Sequence, residues 1–152
     1  MRAHDGQDTA AIRPGRARPA ARIGRVTRRL AVVTGVEAGS LAVASVLHLS
    51  GQVSGRSAPF DADHAGIAEA IIGMVLAGAA IMLRRGGARA RNAGLFAVGF
   101  AIAGFLWGLN ITARGGHWPD VAYHLTLLPL LIGSFIVLLR LPGAHGRRDR
   151  PA

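Results

Sequence analysis

Four long apolar runs separated by short polar stretches set the pattern of this chain. Residues 30–47 are broken by an ionisable side chain only at Glu37, 65–83 only at Glu69 and 121–139 only at His124, while 92–113 contains none. A hydrocarbon layer about 30 Å thick takes roughly 20 helical residues to cross, so each run is long enough to span it. The apolar positions come as blocks instead of one stripe per helix, which is how a segment reads when lipid or other helices surround it. The pattern predicts an all-α, integral membrane four-helix up-down bundle with helices over 28–50, 65–84, 91–112 and 119–140. The connector 84–91 is short, which makes the second and third helices antiparallel neighbours. Residues 1–27 lack apolar periodicity and read as a disordered Arg-rich tail; 28–141 form the transmembrane domain and 142–152 a second basic tail.

The charge balance sharpens this picture. The chain has 152 residues, is 51% hydrophobic and carries a formal net charge of +10, and all 18 basic residues are arginine. Eight arginines precede the first run, four lie between the second and third, and four follow the last; only Arg56 and Arg114 fall in the other two loops. That is the positive-inside distribution, and it places both termini in the cytoplasm of a bacterial inner membrane. The same arginines suit anionic lipids at that face, so nucleic acid is not the expected partner. Thr27-Arg28-Arg29-Leu30 loosely resembles a twin-arginine export signal. The run after it is longer than a signal core, holds Glu37 and is followed by three more spans, so cleavage is not expected. There is no cysteine, which removes disulfides, thiolate metal sites and thiol redox chemistry. Absence of lysine beside abundant Ala, Gly and Arg is the composition of a GC-rich bacterial genome.

The polar residues gather at the opposite face. His48 ends the first span, Asp61, Asp63 and His64 precede the second, and His117-Trp118-Pro119-Asp120 with Tyr123-His124 open the fourth. Pro119 and Asp120 suit a first helical turn, where a missing donor costs nothing and negative charge is favoured. Either Asp61 or Asp63 is placed to cap the second helix. Trp118 and Tyr123 read as interface anchors. Asn110 and Thr112, near the end of the third span, add hydrogen-bonding groups at the same depth. Glu69 and His124 lie inside the apolar layer, and an intramembrane ionisable residue marks a functional site by default. They are expected to converge, with His48, Asn110 and Asp120 within reach and Glu37 deeper.

Four readings fit this group. Glu69 and His124 pair to lock the second helix to the fourth; or the residues bind a small molecule or lipid headgroup; or they handle a quinone or haem; or His48, His64, His117 and His124 supply ligands to a transition metal. No HxxxH or HExxH pair is present, and no cofactor is predicted outright. Without a recognisable nucleophile the chain reads as a binding or accessory component, not an enzyme. A small membrane oxidoreductase subunit is the alternative. Small-residue faces at Gly35/Gly39 and Gly104/Gly108 are candidate contacts for a second copy or a partner protein.

Glu37 in the first span with His48-Leu49 at its end, Glu69-Ala70-Ile71-Ile72-Gly73 in the second, and Pro119-Asp120 with Tyr123-His124 opening the fourth give a chain that resembles small four-span bacterial proteins of the DoxX-like group. The resemblance runs from about Arg28 to Leu141. It implies a four-helix membrane fold and, for some members, association with redox or quinone-linked membrane systems.

Overall fold

The computed structural model describes residues 17–53, 58–87 and 89–143. They form four α-helices: α1 (Ala17–Leu49), α2 (Ala62–Arg85), α3 (Ala90–Arg114) and α4 (Trp118–Arg140). All four are long and apolar enough to cross a membrane. The predicted start of the first helix is corrected. Helix α1 begins at Ala17, so residues 17–27 of the expected disordered tail are helical; 1–16 and 144–152 lie outside the described residues. Alanine and arginine favour helix. Ile23, Val26 and Leu30, spaced i, i+3, i+7, also continue an apolar stripe onto the core, where Val26 packs and Leu30 is buried.

Small residues report the register, because they mark where backbones approach. Gly66 faces His48 and Leu49, Gly73 faces Ala38 and Leu41, and Gly35 faces Ala80, so α1 and α2 run antiparallel. Gly104 against Ile72 and Gly94 against Leu83 do the same for α2 and α3; Gly94 against Leu138 and Gly108 against His124 do so for α3 and α4. Helix α1 packs most extensively on α2 and only lightly on α4. At the short α2–α3 turn, Gly86 (φ 73°) and Gly87 (φ 104°) adopt left-handed conformations that side chains disfavour.

One face of α1 is buried along its length: Leu30, Thr34, Glu37, Ala38, Leu41, Ser45 and His48. The core it joins includes Leu76 and Leu83 of α2, Ala97, Val98, Ala101 and Phe105 of α3, and Leu131 and Leu138 of α4. The outward faces are as apolar as the core; Val36, Met74 and Phe96 are each at least 67% exposed. In lipid such surfaces carry no penalty, and the helices associate through close packing and interhelical hydrogen bonds instead of through burial from water. The glycines at Gly104 and Gly108, expected to mediate oligomers, are occupied within the bundle by Ile72 and His124; Gly39 has nothing within contact range of a side chain built there.

Asp61 is the aspartate that caps α2, accepting from the backbone N–H groups of Asp63 (2.9 Å) and His64 (3.2 Å). At the other end Arg91 of α3 donates to the carbonyls of Leu138 (3.0 Å) and Leu139 (3.2 Å), tying down the last turn of α4. Apart from Glu37 in mid-span, the described carboxylates and histidines collect at one end of the bundle, and apart from Arg114 the described arginines collect at the other.

Candidate functional site

Helix α1 delivers His48 to the acidic end, and the close approach of α2 fixes it there. Gly66 lies against the Cβ of His48, and one turn away the Ser45 hydroxyl donates to the Gly66 carbonyl at 2.7 Å. The imidazole then bridges two helices. Its Nδ1 is 2.8 Å from Glu69 Oε2 of α2, and its Nε2 is 3.1 Å from Asp120 Oδ2 in the first turn of α4. All three side chains are buried.

The chemistry of the triad follows from counting protons. A neutral imidazole has one N–H, yet both ring nitrogens face carboxyl oxygens. Either His48 is an imidazolium between two carboxylates, or it is neutral and one carboxyl carries the proton. Both assignments leave the triad with one net negative charge. A charged, bridged cluster of this kind is held by mutual hydrogen bonding, and removal of one member strands the others.

His117, the residue just before α4, stands 3.0 Å from the same Asp120 oxygen, but its buried Nδ1 is not aligned for a hydrogen bond. Stacking holds it: the ring lies on Phe60 with centroids 4.5 Å apart and planes within 7°. Phe60 is itself buried and tilts against His48.

His124 has a separate environment. Its Nδ1 is 2.7 Å from the backbone carbonyl of Asp120. A carbonyl only accepts, so Nδ1–H donates, and in the neutral ring Nε2 is left as an acceptor. That nitrogen presses against Gly108 of α3, where a side chain would collide with it. G108A is therefore expected to swing the imidazole out of place and to lower stability by about 1–3 kcal/mol, as overpacking does. G99A, whose Cβ would meet Phe135 at 3.4 Å, is the control and is expected to be neutral or stabilising. Thermal unfolding of the two variants in the same detergent checks this.

Glu69, Asp120 and His124 form the polar end of a cavity of about 480 Å³ between α2, α3 and α4. Leu41, Ile72, Gly104, Phe105, Gly108 and Ile111 supply its apolar walls, and Tyr123 and Thr112 add hydroxyls. His64 and Trp107, both strongly exposed, stand at its rim.

The expected pairing of Glu69 with His124 is corrected: Glu69 pairs with His48, and His124 with the carbonyl of Asp120, although both side chains line the same cavity. The sequence pattern places His48 at the helix end, where it reads as a surface group, but the tight α1–α2 approach at Gly66 buries it. Asn110 is exposed and does not line the cavity; Thr112, on another face of α3, does. Tyr123 is no interface anchor. It is partly buried, lines the cavity and shares a hydrogen bond with Ser40 (3.2 Å), whereas Trp118 is 71% exposed. Glu37 is deeper, as expected, but both its oxygens are buried without a hydrogen-bond partner, as is the Thr34 hydroxyl one turn away. Among the described residues no group of three or more His, Asp or Glu side chains is disposed to hold a metal ion. Phe60, Phe105 and Trp107 carried no chemical signal in the sequence; their roles as stacking partner, wall and rim come from the packing alone.

Comparison with family models, with curated proteins and with solved structures finds no match for this chain. The fold and the site geometry therefore carry the functional reading.

Proposed function

We propose that this chain is a binding or accessory component of the bacterial cytoplasmic membrane, with both termini cytoplasmic and the cavity opening toward the outer face. Its ligand is a small amphipathic molecule with a hydrogen-bond-donating or cationic head. The supporting observation is the polarity of the cavity: its polar end, formed by Glu69, Asp120 and His124, offers acceptors in a carboxylate and an imidazole nitrogen, and the His48 triad to which Glu69 and Asp120 belong holds a net negative charge. The remaining wall is largely hydrocarbon and aromatic, with Phe105 and Trp107 among its residues, which suits an apolar tail.

Trp107 makes the test direct. In a Trp118→Phe background it is the one tryptophan left, and it stands at the cavity rim. A short-chain alkylammonium is expected to change its fluorescence saturably, with an alkyl sulfonate of equal length binding at least about ten-fold more weakly, as repulsion from a buried negative charge requires. Gly104→Leu, which fills the cavity, is expected to abolish the response. Equal binding of the sulfonate, or no saturable response to either, rules the reading out. Hydroquinones share the donor chemistry, so the rival assignment as a quinone-linked oxidoreductase subunit is separated by the same titration: a short-chain quinol that outcompetes the alkylammonium favours it. Haem is the weaker form of that rival, since both ring nitrogens of His48 already face carboxylates and Nε2 of His124 is packed against Gly108.

A further inference from the structure

The opposite end of the bundle carries a second cavity, of about 630 Å³, at the seam between α1 and α4. Its walls are Arg22, Ile23 and Val26 of α1 and Val137, Arg140 and Leu141 at the end of α4. We propose that this groove is a binding site for an anionic phospholipid, with the phosphodiester between the Arg22 and Arg140 guanidiniums and the first part of the acyl chains on Ile23, Val26 and Val137. The proposal is independent of the ligand assigned to the acidic end.

The first support is charge. Arg22, Arg25, Arg28, Arg29, Arg84, Arg85, Arg89, Arg91 and Arg140 all lie at this end, whereas the described carboxylates are Glu37, in the middle of α1, and four at the other end: Asp61, Asp63, Glu69 and Asp120. Two guanidiniums sharing one groove repel each other, and no carboxylate of the described chain is placed to neutralise them. An anion between them converts repulsion into attraction on both sides. Arg91 is committed to the carbonyls that end α4, which fixes the wall carrying Val137 and Arg140.

The second support is position. Gly35 is level with Ala80, and α2 ends five residues later at Arg85, so the part of α1 before about residue 30 projects beyond α2. This projecting segment is amphipathic. Arg22, Arg25 and Arg29 recur at i, i+3, i+7, and Ile23, Val26 and Leu30 do so beside them. A helix of that kind continuing from a membrane span lies at headgroup depth, where each near-surface arginine adds to the attraction for anionic lipid. The apolar floor decides between kinds of anion. A free phosphate gains nothing from Ile23, Val26 and Val137, whereas a lipid places its glycerol and methylenes there, continuous with the lipid-facing surface of α4.

Native mass spectrometry of the full-length protein, released from detergent in the presence of phosphatidylglycerol or phosphatidylcholine, tests the site. Phosphatidylglycerol is expected to be retained preferentially. R22Q/R140Q is expected to weaken its apparent affinity roughly thirty-fold, the loss of two near-surface arginine contacts, and R84Q/R85Q, the same charge change elsewhere at this end, by no more than about two-fold. Should the double variant not fold, R22Q and R140Q singly are each expected to weaken binding about five-fold. Equal losses in the two pairs reduce the effect to diffuse surface charge and overturn the site. Equal retention of phosphatidylcholine, or displacement of the lipid by millimolar inorganic phosphate, overturns the choice of ligand.

Discussion

His48→Ala is expected to destabilise the bundle by about 3–5 kcal/mol, the cost of removing one partner from a buried charged pair. The substitution takes away the ring that touches both Glu69 and Asp120, 2.8 Å and 3.1 Å from its two nitrogens, and leaves two buried carboxyl groups facing the space it vacates. Two effects act together here. The hydrogen bonds themselves are of modest net value, since polar contacts between membrane helices average about 0.6 kcal/mol in double-mutant cycles. The stranded carboxylates matter more, because a buried charge without a partner loses solvation with no return. Single and double substitutions should therefore disagree. His48→Ala and Glu69→Ala each cost much, the pair together costs less than their sum, and Glu69→Gln, which retains a hydrogen-bonding head, is milder than Glu69→Ala. Unfolding in mixed micelles, read by circular dichroism, checks all four. A loss below about 1 kcal/mol for His48→Ala would mean that water from the cavity solvates Glu69 and Asp120, and that the triad is not a structural lock.

The helices were legible in the sequence because crossing a membrane imposes length and polarity on every segment that does so, and α2, α3 and α4 lie within a few residues of where the apolar runs place them. The start of α1 was not, because residues 17–27 lie outside the apolar block and their stripe, Ile23, Val26 and Leu30, is interleaved with arginine. Depth was legible too: Glu69, His124, His48 and Asp120 lie at one end, and all but His48 line one cavity. Azimuth was not. A uniformly apolar helix gives no moment to show which side faces inward, so Asn110 and Thr112, two residues apart, could not be told apart, and the partner of Glu69 was assigned by depth alone. The deciding feature, Gly66 beneath His48, is a contact between helices that only the packing reveals.

Glu37→Met is expected to stabilise the fold by about 1–3 kcal/mol, the gain seen when a buried ionisable group gives way to an apolar one of similar volume. Glu37 is 2% exposed and neither carboxyl oxygen has a hydrogen-bond partner; Thr34, on the same face at i, i+3, has an unpartnered hydroxyl. Nothing in the described bundle repays this burial. Leu41, Leu76 and Val98 belong to the hydrocarbon core of the same bundle and offer Glu37 no hydrogen bond. An ionisable residue buried in a membrane bundle at a cost in stability points to a role in function. The two properties should then separate. Glu37→Met melts higher than the parent protein but loses ligand response at Trp107 if the deeper acid is linked to the cavity through Tyr123, whose hydroxyl meets Ser40 one turn from Glu37. Glu37→Gln, still polar and still unpartnered, gains little or no stability. Thermal unfolding and the fluorescence titration, run on the same samples, decide the matter. If Glu37→Met instead lowers the melting temperature, Glu37 has a partner that the single chain does not supply, such as ordered water or a second polypeptide, and its carboxyl is a structural contact.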